Sequence, residues 1–223
     1  LKLYEYFPSK PIASVLDIGC GTGGYTSLLR RSFSCADITA VDISPGMIDA
    51  ASSRVDGVQF VCADAEITRF DRRFDLVTSN ACFQWFNDLA GFMRKLGRIV
   101  GNEGFLLFSF YGPETYSELG SVLKEYYGDS FSIRSEGFYG PDEIESLLAD
   151  NFRASAVEEE GFCIEYDSLW DLLLTIKYTG VAADGISEVS FRRSDIKNLE
   201  EIYLTRFGAV RASFQVFYCR GGN

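Results

Sequence analysis

The 223 residues include 32 aspartates and glutamates but no histidine, so any chemistry this chain performs has to work without imidazole. That removes the commonest general base near pH 7, the Ser-His and Cys-His nucleophile pairs, and histidine-ligated metals. The six cysteines (20, 35, 62, 82, 163 and 219) contain no C-x-x-C pair, and no spacing suggests a metal site. One segment does carry chemistry. Gly19-Cys-Gly21-Thr-Gly23-Gly24 follows an apolar run and opens a helical one. Read literally, Gly19, Gly21 and Gly24 satisfy the G-x-G-x-x-G fingerprint of dinucleotide binding, with Asp42 where a ribose-binding acid belongs.

Asp17 argues against a pyrophosphate in that loop. A carboxylate two residues before the first glycine sits at a strand tip facing the pocket, and like charges are costly in a partly dry site. The same carboxylate favours a ligand bearing an ammonium or a sulfonium, and S-adenosylmethionine carries both and no phosphate. The bland alternative is a tight glycine turn beside an incidental aspartate. Further positions weigh against it. Asp42 can accept bonds from two ribose hydroxyls, or simply flank a helix. Asp64 and the Ala65 amide follow a predicted strand, where they can read an adenine edge or make an ordinary turn. Ile43 and Met47 can pack on the adenine or belong to the core.

The elements that would position these residues alternate as a parallel α/β sheet requires. Strands are predicted at 13–19, 38–42, 58–62, 74–79 and 105–111. Helices are predicted at 25–31, 44–54 and 89–100, with Ser44-Pro45 supplying N-cap and N1 residues and a turn at 102–104. After Tyr111 the rhythm changes: helices are expected at 118–127, 141–150, 167–178 and 194–206, and strands at 152–166 and 212–219. We expect a single domain over 1–223. Its core covers about 12–111, 141–166 and 207–219, and cap insertions cover about 112–140 and 167–206. No apolar run approaches the ~20 residues of a membrane span, and the cysteine usage suits a reducing cytosol, so a soluble cytoplasmic protein is expected. The formal charge of −11 and the lack of a long basic run speak against nucleic acid as a partner.

These segments resemble the class I S-adenosylmethionine-dependent methyltransferases. Val15-Leu-Asp-Ile-Gly-Cys-Gly-Thr-Gly23, Val41-Asp-Ile-Ser-Pro-Gly-Met47 and Phe74-Asp-Leu-Val-Thr-Ser-Asn80 are similar to that superfamily's motifs, in the same order. Beyond them the chain resembles the malonyl-acyl-carrier-protein O-methyltransferases of biotin synthesis. The similar segments are Ser79-Asn-Ala-Cys-Phe-Gln-Trp85, Phe108-Ser-Phe-Tyr-Gly112 with Thr115 and Glu118-Leu119, Phe138-Tyr-Gly-Pro-Asp-Glu-Ile144, Leu172–Gly180 and 210–217. The family pattern places an arginine directly before Phe138. Here Gly137 stands there, and Arg134 lies three residues earlier.

The resemblance implies a Rossmann-like α/β sheet with helices on both faces and a small helical cap, inserted after the fifth strand and near the C-terminus. It implies S-adenosylmethionine at Asp17, Gly19, Gly21, Gly23, Asp42, Ile43, Met47, Asp64, Ala65 and Asn80. It implies methyl transfer to the free carboxylate of a malonyl thioester on acyl carrier protein, with Asn80, Gln84 and Arg134 as catalytic candidates and Lys177 as a second candidate cation. Trp85 and Tyr111 are candidate pocket walls. It also implies an N-terminal helical segment that helps close the site, which is not read before Leu1. A malonyl carboxylate arrives ionised and needs no base, which suits a chain without histidine. Two alternatives stay open: methylation of a free small carboxylic acid, and a non-catalytic S-adenosylmethionine-binding partner protein. An acidic carrier would need a local basic patch on this acidic chain, and Arg192, Arg193 and Lys197 are the candidates.

Overall fold

Seven strands form one mixed sheet in the order β3-β2-β1-β4-β5-β7-β6. The computed structural model describes residues 2–179 and 192–223; the part of the expected cap at 180–191, including the end of the Leu172–Gly180 segment, lies outside the described residues, as does the Arg193 side chain. The strands are β1 (Ser14–Ile18), β2 (Asp37–Asp42), β3 (Val58–Cys62), β4 (Phe74–Asn80), β5 (Val100–Tyr111), β6 (Ala154–Tyr166) and β7 (Val210–Gly222). The helices are α1 (Gly24–Ser32), α2 (Pro45–Ser52), α3 (Leu89–Ile99), α4 (Ser117–Tyr127), α5 (Pro141–Ala149), α6 (Leu169–Thr179) and α7 (Arg193–Phe207).

The chain divides into two compact units, Leu1–Phe110 with Pro141–Glu158 and Phe217–Asn223, and Tyr111–Gly140 with Glu159–Val216. In the first unit β1 pairs in parallel with β2 and β4, β2 with β3, and β4 with β5. Such strands are covered on both faces, and β1 and β4 are accordingly buried almost throughout. Val15, Tyr25, Leu29, Ile38, Leu76 and Leu107 pack together on one side, and Cys20, Ala40 and Ala51 on another. Phe83, Phe86, Phe92 and Phe108 form an aromatic cluster with centroids 4.7–5.6 Å apart. The last strand reverses direction: Asn223 donates to the Gly104 carbonyl, whereas in the second unit Gly112 donates to Gln215.

One expectation needs correcting. The turn predicted at 102–104 is part of β5, which begins at Val100. Phe74 is in register with Val100 but Leu76 with Phe105, so the extra residues bulge out of the ladder. Glycines permit this because a Cβ on Gly104 would lie 2.6 Å from the Gly101 nitrogen and 2.9 Å from the Phe74 carbonyl oxygen.

The second unit centres on α4, α7 and the first half of β7. The buried Glu118 carboxylate accepts from the Ser213 amide (2.9 Å) and hydroxyl (2.7 Å), and Tyr203 donates to the Arg211 carbonyl at 2.8 Å. Among the described residues no helix is long and apolar enough to cross a membrane.

Candidate active site

In an open parallel sheet the carboxyl ends of the strands border the ligand crevice, and register aligns the candidate residues there. Ile18 is level with Val41 and Ser79, and Asp42 with Cys62. Gly19, Asp42, Asp64 and Asn80 therefore lie along one edge spanning four strands, three steps of about 4.8 Å each.

Chain reversal at the end of β1 requires its glycines. Gly19, Gly21 and Gly23 have φ of 71°, 51° and 78°, a region that strains residues with a Cβ. Space is short as well. A Cβ on Gly19 would stand 2.3 Å from Cys82 Sγ, and one on Gly23 would meet Ala51 at 3.1 Å. The loop is pinned by backbone bonds from Gly19 and Cys20 to the Val41 carbonyl (2.8 and 3.1 Å) and by the Gly21 amide donating to Asp42 Oδ2 at 2.8 Å. Asp42 Oδ1 accepts from the Ser44 amide at 2.9 Å. Asp42 is thus first a loop organiser, and each of its oxygens retains a further lone pair as an acceptor.

Asp17 is fully buried. Its Oδ2 accepts from the Thr26 hydroxyl at 2.6 Å, while its Oδ1, equally buried, has no partner. Burial, and more weakly the negative charge of Asp42, push its carboxyl up to about 7 against the opposing Thr26 bond. A buried acceptor left unpaired is a costly group, and here it is suited to a cationic amine. Exposed apolar side chains at the same edge, Ile43 (69%) and Met47 (41%), offer a flat ring a surface. Asp64 Oδ1 accepts from the Glu66 amide at 2.8 Å, and Ala65 is buried beside it. This donor and acceptor set fits S-adenosylmethionine.

Asn80 ends β4, and its Oδ1 accepts from the Ser109 hydroxyl at 3.0 Å. Ala81 follows with a φ of 55°, rare for a residue other than glycine. Gln84 is buried in the 3-10 turn Phe83–Trp85. Its Nε2 donates to the Ala81 carbonyl at 2.8 Å, and its buried Oε1 has no partner. The Cys82 thiol, close to Asp42 and Asp17, is pushed up to about 12 mainly by burial.

Trp85 ends the same 3-10 turn as Gln84, and the remaining candidates belong to the second unit. Arg134 is half-buried at the start of the 3-10 turn Arg134–Gly137. Tyr111 is partly buried, 6.0 Å from Phe214 between ring centroids. Lys177 is exposed on α6, and Arg192 and Lys197 are exposed at the start of α7. Sequence reasoning missed three residues that hold the site. Thr26 binds Asp17, and Glu66 and Lys95 tie the loop after β3 to its neighbours. No periodicity or motif marks such side-chain contacts in advance.

A glycine loop on β1, an acid ending β2 and an unpaired buried carboxylate within this sheet define a class I methyltransferase that uses S-adenosylmethionine. Residues 16–108 match the methyltransferase domain family. Over 113 residues the chain is 48% identical to a malonyl-acyl-carrier-protein O-methyltransferase of Acetivibrio thermocellus, covering 50% of this chain and 40% of that relative's length. It is 32% identical over 217 residues to the enzyme of the same name from Anoxybacillus flavithermus, covering 93% of this chain and 82% of the relative. In fold it is similar to Haemonchus contortus phosphoethanolamine N-methyltransferase 2, solved with S-adenosylhomocysteine, with a TM-score of 0.61 and 20% identity over 99% of this chain and 51% of that one. The chain belongs to the malonyl-acyl-carrier-protein O-methyltransferase family.

Proposed function

We propose that this chain methylates the free carboxylate of a malonyl thioester carried by acyl carrier protein, as a cytoplasmic step of biotin synthesis. The observation that carries the reading is the identity shared with relatives of that name along nearly the whole chain. A second feature agrees: with no histidine in 223 residues, an acceptor that arrives ionised is the one this chain can serve without a general base.

S-adenosylmethionine supplies an electrophilic methyl on a sulfonium. The protein's part is to hold and orient. Asp17 Oδ1 takes the ammonium of the methionyl end over the backbone of Gly19, Gly21 and Gly23. Asp42 takes the ribose hydroxyls, Ile43 and Met47 flank the adenine, and Asp64 with the Ala65 amide reads its edge. Asn80 and Gln84 orient the acceptor. Aligning the carboxylate oxygen with the methyl at about 3–3.5 Å and excluding water provide most of the acceleration. Arg134 is the proposed carboxylate-binding cation because a guanidinium offers a planar fork to a carboxylate. Arg192, Arg193 and Lys197 are the proposed docking patch for the acidic carrier. Arg69, Arg72, Arg73 and Arg98 surround a hollow beside the start of β4, where Arg72 lies 3.8 Å from Asp37 at the start of β2. That is the opposite edge from the glycine loop, so they are poorly placed to deliver a thioester.

The test is transfer of labelled methyl from S-adenosylmethionine to malonyl-acyl carrier protein, with acetyl-acyl carrier protein as control. A base-labile ester on the malonyl form alone is expected. No transfer, or equal transfer to both forms, overturns the reading. Arg134→Ala should raise the KM for the malonyl substrate much more than that for S-adenosylmethionine, and equal effects remove Arg134 from this role.

A further inference from the structure

Two charged residues outside the glycine loop connect the adenine side of the site to its acceptor side. The loop after β3 carries Asp64 and Ala65. Its carbonyls converge on Lys95, whose amine donates to Ala65 at 2.7 Å, to Glu66 at 3.3 Å and also to Thr68. Lys95 belongs to α3 and lies over the Phe70 and Phe92 rings, 4.9 and 5.4 Å from their centroids. Glu66 reaches the other way. Its Oε2 accepts from the Asn87 amide (3.1 Å) and side chain (3.4 Å), and its Oε1 from the Asp88 amide at 2.8 Å. Asn87 and Asp88 close the segment that begins at Asn80 and contains Gln84 and Trp85. Asp88 also caps α3 by accepting from the Gly91 amide at 2.8 Å.

Glu66 therefore spans two loops with three bonds to a charged acceptor, the strong kind, and Lys95 fixes the backbone from which Glu66 projects. Neither side chain closes a helix or strand ladder, and Glu66 is part-exposed; both instead tie together the loops that border the candidate site. We propose that Glu66 and Lys95 are positioning residues that couple S-adenosylmethionine binding at Asp64 and Ala65 to the placement of the Asn80–Trp85 segment. Occupancy of the adenine side then orders the acceptor side before the acceptor arrives. The acceptor role of that segment comes from the proposed function; the coupling itself is read without any acceptor.

The chain has two tryptophans, and Trp170 is exposed on α6, so Trp170→Phe leaves Trp85 as the only indole reporter. In that background S-adenosylhomocysteine should change Trp85 emission on binding. Glu66→Gln replaces an all-acceptor carboxylate by an amide that can match only part of the set. It should weaken S-adenosylhomocysteine about tenfold, as expected for losing one charge-assisted bond, and abolish the Trp85 response at saturation. Glu66→Asp keeps the charge and should restore part of that response. Lys95→Met should act in the same direction. A merely structural role predicts a lower melting temperature with unchanged affinity and an unchanged Trp85 response well below the melt, and that result overturns the proposal. So does a full Trp85 response in Glu66→Gln at saturating ligand. Failure of the malonyl reading would leave both readouts unaffected.

Discussion

Replacing Asp17 by asparagine should make the ligand-free protein more stable at neutral pH while impairing its binding site. Burial pushes the Asp17 carboxyl from the ordinary 3.8 up to about 7. Well below the ordinary value of 3.8 the group is protonated in both the folded and unfolded chains and contributes no difference. As pH rises toward 7 the unfolded chain gives up the proton first and the folded chain retains it, so stability falls across that window. A displacement of about three pH units corresponds to roughly 4 kcal/mol, an upper bound for one buried group. Asparagine cannot ionise, so the variant escapes this loss. It has a cost of its own, because its amide N–H groups need acceptors, and an unpaired one costs about 1–3 kcal/mol. The expected net gain at pH 8 is about 1–3 kcal/mol. At roughly 2–4 °C per kcal/mol for a chain of this size, that is a rise of several degrees, giving way to a fall at pH 4, where the amide's own cost is hardly offset. The assay is thermal unfolding of both ligand-free proteins from pH 4 to pH 8. Calorimetric titration with S-adenosylhomocysteine near pH 6, in buffers of different ionisation heat, completes it. The parent should release a proton as the ligand ammonium draws Asp17 into its ionised form; the variant should release none and bind on the order of tenfold or more weakly. Melting curves that stay parallel across the pH range would refute the assignment of a strained, uncompensated carboxylate.

Gly19→Ala should lower the melting temperature and abolish cofactor binding, because the new Cβ would stand 2.3 Å from Cys82 Sγ at a φ of 71°. Adding Cys82→Gly should recover the steric part of the loss but leave the conformational part, measured as incomplete recovery of the melting temperature. Ala81→Gly should raise the melting temperature slightly, since a left-handed residue with a Cβ costs about 1–2 kcal/mol, while raising the acceptor KM by loosening the step after Asn80. A fall in stability would show that Ala81 is not strained.

The fold of the first unit was legible because two periodicities and a few punctuating residues specify it locally. Buried parallel strands read as short apolar runs, Pro45 and Pro141 stand at the start of α2 and α5, and each expected strand lies within a few residues of its predicted position. Where chain punctuation was ambiguous the reading failed. Asn102-Glu-Gly104 has the composition of a turn, yet it becomes a bulge because Phe74 on a distant strand supplies the pairing that continues β5. The same distinction divides the site. Gly19, Gly21 and Gly23 announce themselves because backbone conformation restricts residue type. Asp17 does so because a carboxylate at an apolar strand end is out of place without a counter-charge. Lys95 and Glu66 were invisible because their partners are backbone carbonyls and amides 20 to 30 residues away, and a carbonyl carries no sequence signature. The residues proposed to hold the cofactor are thus encoded locally. Those that would couple the cofactor to the acceptor are encoded only by the fold, so a motif-preserving chain could keep cofactor binding while losing the coupling that Glu66→Gln tests.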